Sequence, residues 1–212
     1  MDPGFRLNDE LIRASLKHMK PWIKPAVFTL CLLPLAGLVF ALLTDRLGAN
    51  PIEAVQNRLG FWTLTILALS LVPTPARDVL GVSWPQRLRR VIGVTAFAYA
   101  LLHFLFYVAV DKFFDGRTIA QDLTKRPFLM VGFAALLCLA PLAITSTDGW
   151  VMRLGYRRWK LLHRLAYLAA ALAVVHFAWR VKADPTRPLL FAAVFAILLA
   201  ARVPGWIRAA RR

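Results

Sequence analysis

Long apolar runs separated by short polar stretches dominate this chain. Six runs reach the roughly 20 residues that a helix needs to cross a hydrocarbon core. They are Pro25 to Leu43, Leu59 to Ala76, Val91 to Val110, Pro127 to Thr147, Leu161 to Trp179, and Pro188 to about Ile207. The first four contain no Asp, Glu, Lys or Arg. The fifth holds Arg164 one turn from its start, and the sixth holds Arg202 near its end. At that position a long side chain is expected to snorkel to the interface. Backbone groups in lipid must be satisfied within the segment, so runs of this length predict helices. The pattern therefore predicts an all-α polytopic membrane protein, a six-transmembrane-helix bundle spanning residues 25–207. Residues 1–24 carry Leu11, Ile12, Leu16 and Met19 among basic residues, which suits a short amphipathic helix on the membrane surface. Residues 208–212 form a basic tail. The first apolar run is too long for a signal peptide, and no small-residue cleavage site follows it.

Composition agrees with the pattern. The 212 residues are 59% hydrophobic and 18% charged, where a soluble domain would carry about a quarter charged residues. Disordered chains, disulfide-stapled secreted domains and ordinary soluble enzymes are excluded. The net charge of +16 would otherwise invite a nucleic-acid reading. Its distribution points elsewhere. With the N-terminus inside, the inner loops hold Arg6, Arg13, Lys17, Lys20 and Lys24, then Arg77, Arg87, Arg89 and Arg90. They continue with Arg153, Arg157, Arg158, Lys160 and Arg164, then Arg202, Arg208, Arg211 and Arg212. That is 18 of the 27 Lys and Arg, against nine outside. A two-to-one excess places both termini in the cytoplasm. The basic residues then serve topology and attraction to anionic lipid, and no nucleic-acid partner is expected. No internal repeat breaks the chain into further domains.

Candidate chemistry lies in the histidines. Cys31 and Cys138 fall within spans, with no CxxC, and read as small apolar residues. P-loop, GxGxxG and HExxH motifs do not occur. His18 sits in the basic N-terminal segment, but His103, His163 and His176 fall in the third and fifth spans. An ionisable residue inside a membrane is a functional candidate. Both of these spans run outward. His103 lies 12 residues past Val91 and His176 lies 13 past His163, about 18 and 20 Å along their axes. His103 and His176 thus reach one depth in the outer half of the membrane, where two neutral imidazoles can ligate one haem iron axially. A proton-relaying transporter is the competing reading, but the spans lack the carboxylates that such relays use.

The inner level differs. Arg89, 14 residues before His103, returns to within about 40° of the same helix face. Arg is not an iron ligand, but it suits a haem propionate or a flavin phosphate. Arg89 and His163 therefore mark an inner site for flavin mononucleotide (FMN), or for a second haem ligated by His163. On a straight helix His163 and His176 would point about 140° apart. Either the fifth helix is locally tightened or the two sites lean toward different neighbours. Tyr99, Tyr107, Trp159, Tyr167 and Trp179 lie near these levels. Thr145, Ser146 and Thr147, before Asp148 and Gly149, read as a helix end and turn that also suits phosphate or propionate contacts.

Several segments carry a family resemblance: LGANPIEAVQNRLGFW (47–62), RRVIGVTAFAYALLHFLFY (89–107), LTKRPFLMVG (123–132), ITSTDGWVMRLGYRRWKLLHRLAY (144–167) and VVHFAW (174–179). In order, spacing and length the chain resembles the MsrQ (YedZ) family, part of the ferric-reductase-like transmembrane group, from about Pro34 to Trp206. The resemblance implies a haem-binding subunit of the bacterial inner membrane, carrying haem b and FMN. It implies electrons taken from the quinone pool or a cytosolic flavin reductase and passed to a periplasmic MsrP-like molybdopterin enzyme that reduces methionine sulfoxide. His103, His163 and His176 match the family's three membrane histidines, and Arg89 matches the arginine that replaces a histidine of the ferric-reductase pattern. A stand-alone ferric reductase is less expected, because such reductases usually carry a fused NADPH–FAD domain. A cofactor-free transporter stays open as the third class.

Overall fold

The computed structural model describes residues 22–181 and 184–203. His18, most of the expected N-terminal amphipathic helix and the tail 208–212 lie outside the described residues. Among those residues the chain is helical throughout. Its long helices are α1 (Ile23–Leu43), α2 (Pro51–Leu71), α4 (Arg89–Phe106), α6 (Pro127–Ile144) and α9 (Leu165–Arg180). Shorter ones are α3 (Pro73–Leu80), α5 (Gly116–Lys125), α7 (Asp148–Leu154), α8 (Tyr156–Leu162) and α10 (Thr186–Ala200). Five continuous stretches are long and apolar enough to cross a membrane, so the chain is a multi-pass membrane protein. The expected sixth, α10, is apolar but has 15 residues, and the expected end of its run near Ile207 lies outside the described residues.

Helix boundaries follow local chemistry. The second span was expected from Leu59, but α2 begins at Pro51. The Asn50 side chain accepts the Glu53 N–H, and Pro51 occupies the first turn, both strong start signals. Arg58, expected in a loop, therefore stands within α2. The fifth span is interrupted at His163–Arg164, close to the angular misfit between His163 and His176. His163 and Arg164 form a turn between α8 and α9, closed by short-range bonds from the Arg164 N–H to Leu161 and from the Tyr167 N–H to Arg164. These i→i+3 bonds overwind the chain locally.

The core is a four-helix bundle of α2, α4, α6 and α9. Helices α2 and α4 pack closely, as do α6 and α9, and the two pairs meet through looser contacts of α4 with α6 and α2 with α9. Helices α4 and α9 lie across the diagonal without close backbone packing. Leu59, Ile66, Leu71, Ala96, Ala169 and Ala170 are fully buried at the seams, the small residues allowing close approach. Helix α1 is peripheral. Its main tie is Tyr99, whose hydroxyl donates to the Cys31 carbonyl at 2.8 Å and accepts the Leu35 N–H at 3.1 Å. The phenol is thus inserted into the α1 ladder beside Pro34, a recognised cause of helix bending.

Beyond α4 a π-helical turn (Tyr107–Asp111) leads into α5. It turns the Tyr107 hydroxyl onto Asp122, which also meets Lys112 at 3.0 Å and Arg126 at 3.6 Å. Burial works against ionisation of Asp122, but hydrogen bonds from Lys112 and Tyr107, with the Arg126 charge, hold its carboxyl below the ordinary value. A depressed carboxylate stabilises the fold above its unfolded pKa, and that contribution is lost as pH falls through the folded value. Melting of the purified protein should therefore weaken below about pH 4. Asp122→Asn should cost about 1–2 kcal/mol at neutral pH, allowing for solvent screening, and flatten that acid limb. A variant that melts like the parent from pH 7 to 3 would contradict this account.

Candidate functional site

Two sites occupy opposite ends of the bundle. At one end His103 of α4 and His176 of α9 meet across the diagonal, with ring centres 6.3 Å apart and planes at 83°. Each ring is held from behind by a backbone carbonyl of its own helix pair. His103 Nδ1 lies 3.1 Å from the Gln56 carbonyl on α2, and His176 Nδ1 lies 2.7 Å from the Phe128 carbonyl on α6. A carbonyl only accepts, so both Nδ1 atoms carry the proton and both Nε2 lone pairs are free. The Gln56 side chain also donates to the His103 carbonyl at 3.3 Å, leaving its own buried Oε1 without a partner.

This geometry admits a haem iron. An imidazole nitrogen sits about 2 Å from a first-row metal, so two axial nitrogens lie about 4 Å apart and the ring centres roughly 6 Å apart. Among the described residues no group of three or more His, Cys, Asp or Glu gathers around a point. Two imidazoles alone suit an iron whose remaining positions are filled by a macrocycle. Such a plate would lie between α4 and α9, whose backbones do not pack closely.

At the other end a cavity of about 1140 Å³ opens between α2, α3, α4, α6, α7, α8, α9 and the end of α10. Both Arg89 and His163 line it, with Trp159, Tyr156 and Tyr167 as aromatic wall and Ser70, Thr74 and Ser146 as hydroxyls. Six cations and two carboxylates line it. Asp78 is taken by Arg77 at 2.8 Å and Asp148 by Arg90 at 2.6 Å. Arg89, Lys160, Arg164 and Arg202 have no carboxylate partner among the described residues. Such a cavity is built for an anion.

His163 is held differently from the other two. Its ring lies against Trp159, centres 4.0 Å apart, and its Nε2 is 3.2 Å from Thr145 Oγ1. The Thr145 hydroxyl spends its proton on the Pro141 carbonyl at 2.6 Å, so His163 donates through Nε2. The nitrogen that is free at His103 and His176 is engaged here. The Trp159 indole N–H donates to the Thr145 carbonyl at 2.9 Å, locking the group together.

The other sequence candidates scatter. Tyr99 and Tyr107 serve the hydrogen bonds described above, and Trp179 lines a smaller pocket with Lys125, Arg126 and Phe128. Thr145 and Ser146 end α6, and Thr147 caps α7 by accepting the Trp150 N–H. Cys31 and Cys138 are free and half-buried. Arg202 corrects an expectation: it does not snorkel but is 1% exposed. Its guanidinium donates to the Leu71 and Leu198 carbonyls and lies over the Tyr167 ring, and its Nε has no partner. Pro75 has no N–H to give Leu71, which leaves that carbonyl for Arg202. The Pro-Thr-Pro run at 73–75 is the one sequence signal that could have pointed to it.

The chain resembles known proteins along most of its length. Residues 59–174 match the family of the ferric reductase like transmembrane component. The chain is 50% identical over 186 residues to the protein-methionine-sulfoxide reductase heme-binding subunit MsrQ of Rhodospirillum rubrum, covering 88% of this chain and 89% of that one. It is 47% identical to MsrQ of Herminiimonas arsenicoxydans over 85% of this chain and 84% of the other. With MsrQ of Deinococcus radiodurans it shares 48% identity, over 86% and 90%.

Proposed function

The chain belongs to the MsrQ family, within the ferric-reductase-like transmembrane group, and from that premise we propose that it is a transmembrane electron conduit. It takes reducing equivalents at the cytoplasmic side, from quinol or a cytosolic flavin reductase. It delivers them to a periplasmic MsrP-like molybdopterin enzyme that repairs oxidised methionine. The observation that carries this reading is the His103–His176 pair, with ring centres 6.3 Å apart and each Nδ1 held on a backbone carbonyl. A b-type haem bound there would supply one-electron transfer near the outer face, and FMN in the inner cavity would join two-electron donors to it.

The protein's own part is positioning and electrostatics. The Gln56 and Phe128 carbonyls fix the tautomers of the outer pair and raise the basicity of the ligating nitrogens. In the inner cavity, Arg89 supplies charge for a phosphate, Ser70, Thr74 and Ser146 supply hydroxyls, and Trp159 and Tyr156 form an aromatic wall. The Nε2–H of His163 is committed to Thr145, which favours FMN over a second haem at this level. Both termini lie in the cytoplasm in this reading, with 1–24 and 208–212 flanking a six-helix domain of 25–207 in the bacterial inner membrane. The loops 112–126 and 180–187 then face the periplasmic partner.

The test is cofactor analysis of detergent-purified protein: pyridine haemochrome per chain, reduced-minus-oxidised spectra, and flavin released on denaturation. One haem and one FMN per chain are expected. Two haems without flavin would assign His163 to iron. Neither cofactor in a well-folded preparation would overturn the conduit.

A further inference from the structure

The two outer histidines are held by the same local device, and its second part is a missing side chain. On α2 the carbonyl of Gln56 accepts the His103 Nδ1–H, and the residue four positions on is Gly60. On α6 the carbonyl of Phe128 accepts the His176 Nδ1–H, and the residue four positions on is Gly132. In an α-helix residue i+4 donates to the carbonyl of residue i, so its Cβ stands beside that carbonyl. A Cβ at Gly132 would lie 2.6 Å from His176 Nδ1, 2.8 Å from Cε1 and 3.1 Å from Cγ. A Cβ at Gly60 would lie 3.2 Å from His103 Cε1 and 3.6 Å from Nδ1. Gly37 on α1, by contrast, has nothing within 4 Å of such a carbon.

We propose that Gly60 and Gly132 are positioning residues: each leaves a notch beside a backbone carbonyl in which an imidazole seats, and the notch sets the orientation of that axial ligand. This rests on the reading that His103 and His176 ligate haem. An imidazole has two torsions between its helix and its Nε2. With Nε2 fixed on iron and Nδ1 on a carbonyl, the ring has no freedom to retreat from an added methyl group. At Gly132 the methyl would overlap three ring atoms, so ring and carbonyl must part. At Gly60 a shift of a few tenths of an ångström relieves the contact. The two notches therefore differ in tightness, and their variants should differ in order.

The experiment compares Gly132→Ala, Gly60→Ala and Gly37→Ala in the full-length, haem-loaded protein. Its readouts are the low-spin EPR g values, the Soret spectrum, the midpoint potential and haem per chain. Gly132→Ala should convert low-spin to high-spin haem and weaken retention by about 10- to 100-fold, the usual effect of losing a ligand's supporting contact. Gly60→Ala should keep its haem but move the low-spin g values and the potential. Gly37→Ala should match the parent in every readout. Parental g values and potential in either Gly60→Ala or Gly132→Ala would overturn the proposal. If Gly132→Ala does not accumulate, Gly60→Ala decides by the same criterion. Low-spin haem that survives in His103→Ala would instead overturn the haem reading beneath it, whatever the glycine variants show.

Discussion

His103→Ala, and separately His176→Ala, should remove nearly all low-spin haem from the purified protein. The expectation follows from how little else is available at that level. The two imidazoles face each other across the diagonal, and no third His, Cys, Asp or Glu gathers with them among the described residues. Loss of one therefore leaves an iron with a single axial ligand. Supporting contacts alone change metal retention by about 10- to 100-fold, and loss of a ligand should exceed that. The fold should persist, because each histidine stands beside extensive packing of its own helix pair. The readouts are the reduced α-band and haem per chain. A spectrum that survives His103→Ala but vanishes in His163→Ala would relocate the haem to the inner cavity.

The second large effect is expected at the opposite end. Arg89→Ala should weaken FMN binding while leaving riboflavin binding and the outer haem spectrum unchanged. Arg89 lines the cavity with no carboxylate partner among the described residues, while neighbouring Arg90 is already paired to Asp148. A charge-assisted hydrogen bond contributes about 1.5–3 kcal/mol, so the loss should be roughly 10- to 150-fold in affinity. Riboflavin lacks the phosphate and separates charge recognition from ring packing. His163→Ala should weaken both flavins alike, since His163 supports the Trp159 wall, and should also spare the outer haem. Equal loss of FMN and riboflavin in Arg89→Ala would mean that this arginine does not read the phosphate.

Much of this arrangement was legible in the sequence because two rules are rigid. Helical rise puts His103 and His176 at one depth from spacing alone, while the angular misfit between His163 and His176 admitted a tightened helix or two sites leaning apart, and the helix is interrupted at His163–Arg164. The start of α2 was misplaced because Glu53, Gln56, Asn57 and Arg58 mask it in hydropathy, although Asn50 and Pro51 announce it. Arg202 was misread because a charge near the end of a span has two fates. Which one holds depends on a carbonyl 131 residues away in the chain. The carbonyl–glycine notches were illegible for a related reason. Gly60 and Gly132 look like ordinary membrane-helix glycines until the facing helix brings a ring to them.

The pairing of helices has a consequence for how the molecule comes together. His103 is clamped by α2, its close partner, and His176 by α6, its own. Residues 51–106 and 127–180 are therefore two consecutive units, each of which holds its own imidazole on its own backbone. An iron held by both histidines, in the proposed reading, would add a tie between two halves that already meet through α4 with α6 and α2 with α9.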